Sequence, residues 1–298
     1  GPWLIYSGNN SDGSQKWTND DSIEEWVPVI AGGINNYDNW HNGDPSVVKH
    51  KDTYYMAYSA TGFNKDGIPF GHLDDTDSDI SVIMGAISKD GLEWIKSKKP
   101  ILIYEPQWGQ SPINNGDYMH ELGSYHRPSL MVEDDKFKIW FDGYVKNSFD
   151  MLYGENDSNF MDNNDWKIIR GMDNQALISF PNPDIVKIED LYLGFGDPPH
   201  PEAPEEGWGK RKITIAVSLN GKDWKSIGYI EGDEGWQGNM VPEAMVEKDG
   251  DNYVIYLSYG TMINDHFHQD SIRMKSWEIN RTKLENLIEY ASLEDKSF

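Results

Sequence analysis

The sequence predicts an all-β protein, a five-bladed β-propeller of four-stranded antiparallel blades with a short C-terminal helix. One sequence pattern occurs four times. It begins with a polar residue, usually next to proline, and continues with a short apolar run, an Asp eight positions after the polar residue and an aromatic residue ten positions after it. A β-rich meander follows each copy. Self-similarity of this kind is typical of repeats, and meanders of about 50 to 60 residues are typical of propeller blades.

Each copy opens with a hairpin pattern, in which a strand, a polar turn and an aromatic, β-branched strand follow one another. The copies begin at Asp44, Arg127, Asn182 and Glu243, the turn Asp is Asp52, Asp135, Asp190 and Asp251, and the aromatic residue is Tyr54, Phe137, Tyr192 and Tyr253. A third strand is predicted after each hairpin. In three copies a tight turn then leads to Trp94, Trp166 or Trp224 and to a fourth strand.

The two chain ends complete the predicted domain. Residues 3–30 resemble part of a fifth blade, which we expect to close by pairing strands from both ends of the chain. Leu284, Leu287 and Ile288 have helical spacing within residues 281–291. No linker divides the chain, so the sequence predicts a single domain over residues 1–298.

The composition excludes several partners and chemistries. The 298 residues carry a formal net charge of -24, which opposes binding to nucleic acid or to an anionic membrane surface. There is no cysteine, hence no disulfide, thiolate nucleophile or Cys-ligated zinc. No apolar run has the length of a membrane span. The chain opens at Gly1-Pro2, and we expect that a targeting segment has been removed from a secreted or periplasmic protein.

Asp44, Asn182 and Glu243 are the candidate catalytic residues. In a propeller the start of each inner strand lies at one mouth of the central channel, so these side chains are expected to converge. Two carboxyl groups across a pocket suit glycoside hydrolysis, in which one protonates the leaving oxygen and the other activates water or attacks the sugar. Asp44 alone is also explained as a turn residue before proline. Glu243 stands in an apolar run, where an unused charge is costly.

Other polar groups leave alternatives open. Asp184 either adds a third carboxylate or bonds to a neighbouring blade. Arg127 and His126 either bind a substrate hydroxyl or balance the carboxylates, and Arg127 can also pair with an Asp. His268 lies in a His-x-His pair that can bind a metal, but no third ligand has a matching spacing, and the pattern favours a polar loop.

Three long connections, at residues 61–80, 104–126 and 196–211, are candidate pocket walls, because long loops in compact domains are often functional. Aromatic side chains can stack on sugar faces. The substrate-binding candidates of this kind are Trp40, Trp108, Trp208, Trp236 and, as a polar ring, His120.

At these residues the sequence resembles glycoside hydrolase family 43 and its relatives, the five-bladed propeller glycosidases. Gly43-Asp44-Pro45 resembles the first-blade motif whose Asp is the general base, and Glu243 resembles the fourth-blade general acid. Asn182 stands where the family has an Asp that tunes the acid, so Asp184 can have taken over that role. The family's Glu-Gly-Pro is missing. The resemblance also implies a calcium ion or a water cluster in the channel, with His268 as its counterpart, and no required cofactor.

The resemblance implies an inverting, exo-acting glycosidase on an oligosaccharide or polysaccharide of plants or algae, such as an arabinofuranoside or xyloside. An inverting pair is expected to lie about 6.5–9.5 Å apart. Two alternatives remain. A glycoside phosphorylase would need more cations than Arg127, Lys210 and Arg211 supply. A non-catalytic glycan-binding propeller is consistent with the missing Asp at position 182.

Overall fold

A computed structural model describes the backbone of most predicted strands and of the helix. The described residues are 5–9, 25–31, 37–38, 41–61, 81–104, 124–145, 148–170, 177–198, 211–230, 238–263 and 266–293. Within them the chain is all-β, apart from one short 3₁₀ turn (Asn163–Asp165) and one C-terminal helix. None of the described helices is long and apolar enough to cross a membrane.

The N-terminal segment forms a two-stranded antiparallel sheet rather than a blade. Strand β1 (Ile5–Asn9) pairs with β2 (Glu25–Ile30). The described residues therefore form four blades, and the prediction of five blades is wrong as a count. The predicted fifth blade is represented there by this pair of strands alone.

Blade 1 is a four-stranded meander. It contains β3 (His41–His50), β4 (Thr53–Thr61), β5 (Val82–Ser88) and β6 (Trp94–Lys96), hydrogen-bonded in chain order. The second half of β4 is buried throughout, as expected of a central strand that packs on both faces.

Blade 2 has the same strand order. It contains β7 (Ser124–Glu133), β8 (Lys136–Val145), β9 (Ser148–Asn156) and β10 (Trp166–Arg170). The predicted hairpin turn of this blade is confirmed, since Asp134 and Asp135 both adopt positive φ, the conformation that tight hairpin turns require.

Blades 3 and 4 differ in their outer edge. Blade 3 contains β11 (Asp184–Ile188), β12 (Leu191–Gly196), β13 (Thr214–Ser218) and β14 (Lys225–Tyr229). Blade 4 contains β15 (Gly238–Asp249), β16 (Asn252–Ile263) and β17 (His266–Ile279). The fourth strand found in the other three blades has no counterpart here in the described residues.

The predicted C-terminal helix is confirmed as α1 (Arg281–Ser292). Asn280 caps its start, with the side-chain oxygen accepting from the Lys283 backbone N–H. Leu284 is fully buried in the apolar cluster formed by blades 3 and 4, and Leu287 and Ile288 pack against that cluster. The apolar spacing thus selects the face of the helix that is buried.

The chain divides into two compact units. Unit 1 contains Gly1–Lys138, Tyr144–Asn147 and Glu155–Lys167, and unit 2 contains Ile139–Gly143, Ser148–Gly154 and Ile168–Phe298. Each has its own apolar core, built around Met56, Tyr58 and Met84 in unit 1 and around the blade 3 and 4 cluster in unit 2.

Candidate functional site

The same backbone conformation occurs near the start of all four blades. A residue with positive φ precedes a proline in each: Asp44 (φ 47°), Arg127 (φ 51°), Asn182 (φ 51°) and Val241 (φ 49°). In blade 1, Gly43 pairs with Ser59 and Ser46 with Ala57, so two residues of β3 oppose one of β4. This arrangement is a β-bulge, and such bulges re-aim side chains at sheet edges and active sites.

The predicted register is wrong in the fourth copy. The bulge of blade 4 lies between Met240 and Glu243, which pair with Gly260 and Ser258. Val241 is therefore the equivalent of Asp44, and Glu243 is the equivalent of Ser46. The hairpin of blade 4 is longer than the others. The position eight residues before its turn Asp therefore lies two residues after the true start of the repeat.

The positive-φ residue of each later blade is held by the preceding blade. The backbone N–H of Arg127 donates to Ser59 Oγ (2.7 Å), and that of Val241 donates to Asp197 Oδ2 (2.8 Å). The N–H of Asn182 donates to both carboxylate oxygens of Asp142 (2.9 Å each). A left-handed conformation is unfavourable for residues other than glycine, and these bonds explain why it persists.

The three accepting residues were missed in the sequence, although a signal is present. Ser59, Asp142 and Asp197 each follow the positive-φ residue of their own blade by fifteen positions. All three are buried. A polar residue at a fixed interval inside an apolar central strand is the pattern that marks them.

Asp44 has the environment of an ionised carboxylate. Burial raises the pKa of Asp44, but the opposing effects of Arg127, His126, the Ser59 hydroxyl and His41 leave it below its usual range. Arg127 Nη1 lies 3.7 Å from Asp44 Oδ1. About one third of each side chain is exposed, 33% for Asp44 and 32% for Arg127, so the carboxylate is both charged and accessible.

The predicted pairing of Arg127 with an Asp is therefore present in unit 1. His126, next in the chain, also lowers the pKa of Asp44. Both residues act on the carboxylate directly, which corresponds to the predicted role of balancing its charge. His41 was not predicted from the sequence and belongs to the same group.

Asn182 is a buried hydrogen-bonding residue rather than an open ligand. Its side-chain amide donates to both oxygens of the buried Asp197 at 2.7 Å each. Arg211 Nη1 lies 3.4 Å from the same carboxylate. The Asp197 carboxylate therefore lies next to Asn182 and already accepts hydrogen bonds from this amide and from the Val241 backbone N–H.

Asp184 bonds to a neighbouring blade, as one of the two predicted alternatives states. Its Oδ2 accepts the backbone N–H of Ala244 at 2.5 Å. Ser46, the equivalent residue of blade 1, accepts the N–H of Leu130 at 2.9 Å. The repetition of this bond in two blades identifies Asp184 as an inter-blade acceptor.

Glu243 occupies that same slot in blade 4 and is exposed. Its backbone oxygen accepts from Ser258 Oγ at 3.4 Å. An exposed carboxyl group on a strand can reach a ligand, but the slot itself serves blade-to-blade bonding in blades 1 and 3.

Several predicted site residues lie outside the described residues. They are Trp40, Trp108, Trp208, Trp236 and His120, together with most of the three long connections. His268 lies on strand β17 rather than in a loop, and its side chain is not described. The described residues contain no group of three or more His, Asp or Glu side chains placed to hold a metal ion.

Comparisons with known proteins show the fold. No family model and no curated protein matches the chain. A glycoside hydrolase structure matches with a TM-score of 0.51 and 15% identity, covering 84% of this chain and 73% of that one. A β-1,2-mannobiose phosphorylase from Listeria innocua matches with a TM-score of 0.54 and 13% identity, over 80% of this chain and 72% of that chain.

A family 32 β-fructofuranosidase of Bombyx mori matches with a TM-score of 0.52 and 12% identity, over 88% of this chain but only 55% of that one. The fold is that of the β-propeller glycoside hydrolases. Identities this low show the fold alone, so the chemistry has to be argued from the residues.

The position of the bulge in blade 4 changes which residue corresponds to the glutamate of Glu-Gly-Pro, the motif of the propeller glycosidases. When Pro242 is matched to the proline of Glu-Gly-Pro, the glutamate position is taken by the buried Met240. In blade 1 the match is direct, because Asp44 precedes Pro45 at the bulge. Blade 1 thus has a carboxyl group directly before its bulge proline, whereas blade 4 has Met240 and Val241 at the two positions before Pro242.

Proposed function

We propose that the protein is a glycoside hydrolase that uses Asp44 as its general base. The observation that carries the proposal is the environment of Asp44, a partly exposed carboxylate whose pKa is held low by Arg127 and His126. A group that accepts a proton from water must be ionised before the reaction, and this carboxylate meets that condition.

Glu243 is the proposed general acid. It is an exposed carboxyl group three residues beyond Met240, and it is the residue that the sequence pattern alone, without the bulge register, matches to the family's acid. Proton donation from Glu243 with water activation by Asp44 gives an inverting reaction. The reaction needs no cofactor, because acid–base chemistry on a neutral sugar is sufficient. A structural calcium ion near His268 remains a prediction.

The proposed substrate is a neutral sugar at the end of a plant or algal oligosaccharide or polysaccharide, of the arabinofuranoside or xyloside type. The charge of -24 supports a neutral substrate over a polyanionic one. Action outside the cell or in the periplasm follows from such a substrate and is part of the proposal. Trp40, Trp108, Trp208, Trp236 and His120 are the proposed substrate contacts.

A non-catalytic glycan-binding propeller is the second candidate. The observation that favours it is the fourth-blade register, in which Met240 takes the acid position and Glu243 takes a slot that bonds blades together elsewhere. Asn182, engaged by Asp197, supplies no acid-tuning carboxylate of its own.

Turnover of a panel of aryl glycosides, measured with and without inorganic phosphate, separates the candidates. Hydrolysis that is independent of phosphate supports the proposal. Turnover only with phosphate would assign a phosphorylase, the activity of the Listeria innocua neighbour. Saturable binding of the same glycosides without turnover would assign the glycan-binding alternative.

A further inference from the structure

A pocket of about 530 Å³ lies in unit 2, between the outer strands of blades 3 and 4 and the helix α1. Its apolar walls come from Ile227 of β14, Trp277 and Ile279 of β17, and Leu287 and Tyr290 of α1. The volume is in the range of small-molecule sites. None of these residues belongs to the site around Asp44.

Trp277 differs from the other described tryptophan side chains. The indole N–H groups of Trp94, Trp140, Trp166 and Trp224 each donate to a backbone carbonyl oxygen at 2.7–3.0 Å. No such bond exists for Trp277 within the part of the chain that the structure describes. Partly buried indoles usually find an acceptor, and Trp277, which lines the pocket, has none among the described residues.

The helix side of the pocket combines a fixed aromatic ring with an open amide. The Tyr290 hydroxyl donates to the Ser226 carbonyl oxygen (3.2 Å), which holds the ring in place while 42% of the residue is exposed. Asn286, also exposed, makes no hydrogen bond within the described residues, so both its donor and its acceptor can serve a ligand.

The charged side chains that line the pocket already form hydrogen bonds within the protein. Lys283 Nζ donates to the Glu278 backbone oxygen (3.1 Å), and Glu278 Oε1 accepts from Asn252 (2.8 Å). The remaining ligand-binding chemistry is an apolar floor, an aromatic ring, one N–H donor and one amide. A pyranose or furanose ring has the matching surface, an apolar C–H face bordered by hydroxyl groups.

We propose that this pocket is a second, non-catalytic carbohydrate-binding site for a neutral sugar. A purely apolar ligand such as an acyl chain would leave the Trp277 N–H and the Asn286 amide without partners, at a cost in affinity. An anionic sugar would face the Glu278 carboxylate and the acidic chain as a whole. Binding here does not depend on hydrolysis at Asp44.

The test is ¹⁹F NMR on protein labelled with 5-fluorotryptophan, carried out in the Asp44→Asn background so that no probe is consumed. The probes are methyl β-D-xylopyranoside, methyl α-L-arabinofuranoside and methyl α-D-mannopyranoside, with octanoate as the apolar competitor. Trp277→Phe identifies the Trp277 resonance by its loss. We expect a saturable shift of that resonance with at least one glycoside.

The matched variants are Asn286→Ala and Glu285→Ala. Both residues are exposed and adjacent on α1, but only Asn286 lines the pocket. Losing one hydrogen bond should weaken glycoside binding about three- to tenfold in Asn286→Ala, and Glu285→Ala should leave it unchanged. This pair decides the question even if Trp277→Phe is unstable, since binding can also be followed by the probe's own saturation-transfer signal.

Three results would overturn the proposal: no shift or saturation transfer with any glycoside, a response to octanoate alone, or equal weakening in both alanine variants. A protein that binds glycosides here but turns over none still has this site. Failure of the hydrolase proposal and failure of this one are therefore separate outcomes.

Discussion

The side-chain amide of Asn182 donates to both oxygens of the Asp197 carboxylate, at 2.7 Å each, and both residues are buried. Asp197 also accepts the Val241 backbone N–H and lies near Arg211. One carboxylate thus links three segments of unit 2. The amide at position 182 is needed as a donor, which explains why an Asp would not be equivalent here.

Asn182→Asp should destabilise the protein by about 2–4 kcal/mol at neutral pH, because two buried carboxylates would then face each other without the bridging donor. The introduced carboxyl group should have a raised pKa in the folded state. Folding then favours its protonated form, so the loss of stability should shrink as the pH falls. Urea unfolding at neutral and mildly acidic pH measures both effects.

Asn220→Asp is the matched control. Asn220 accepts two backbone N–H groups in an exposed turn, as Asp90 does in blade 1. Its amide also donates to Asp223 Oδ2 (2.7 Å), but this pair is exposed, so water can solvate the two carboxylates of the variant. Its unfolding free energy should stay close to that of the parent protein. An Asn182→Asp variant as stable as the parent would contradict the assigned network.

Arg127→Met should raise the pKa of Asp44. Burial already raises that pKa, and Arg127 is the largest of the effects that lower it. Because the folded pKa of Asp44 lies below its unfolded value, the group contributes stability above the unfolded pKa and loses it as the pH falls through the folded pKa. That acid-sensitive contribution should decrease in the variant.

Carboxyl ¹³C NMR titration measures the shift directly. Lys51→Met serves as the control, because Lys51 lowers the pKa of Asp135 by a hydrogen bond and by its charge. It should raise the pKa of Asp135 and leave Asp44 unchanged. An unchanged Asp44 titration in Arg127→Met would show that the pair is not coupled.

Gly221→Ala and Gly91→Ala should differ, although both glycines occupy the same turn motif with positive φ (71° and 80°). A methyl group on Gly91 meets no atom within 4 Å, so only the left-handed conformation is penalised, by about 1 kcal/mol. A methyl group on Gly221 would lie 2.7 Å from Trp140 Cζ2. We expect a further loss of about 1–3 kcal/mol there, measured by chemical denaturation.

The two proposed catalytic carboxyl groups should respond differently to removal. Asp44→Asn and Glu243→Gln should each lower turnover about 10²-fold or more. An activated leaving group should restore part of the activity in Glu243→Gln alone, because only that step needs a proton. Asp135→Asn, in an exposed turn, should remain active. A retained product anomer in early proton NMR spectra would reject the inverting mechanism, and unimpaired turnover in both variants would reject the site.

The strands and the helix could be predicted because their signals are local. The Asp residues at plus eight lie in the hairpin turns, and the spacing of Leu284, Leu287 and Ile288 marks the buried face of α1. The register of blade 4 could not be read in the same way, since its hairpin is longer and the turn is a poor reference for the bulge. The residue before proline is a better reference for the bulge, and in blade 4 that residue is Val241.

The bonds that shape the site depend on residues far apart in the chain. Ser46 and Leu130 are 84 positions apart, and Ser59 and Arg127 are 68 apart. A single sequence gives no direct sign of such contacts. Only the recurrence of polar residues at a fixed interval from each bulge could have suggested them.

Arg127, Asn182 and Val241 are each secured to the preceding blade through the main-chain N–H group, a bond that any side chain at these positions leaves intact. Asp, Arg, Asn and Val occupy the four equivalent positions on an unchanged backbone. One backbone conformation therefore presents an acid, a cation, an amide or a hydrocarbon, according to the blade. The chemistry of this position is set blade by blade, and in blade 3 the side chain has also been recruited to bind Asp197.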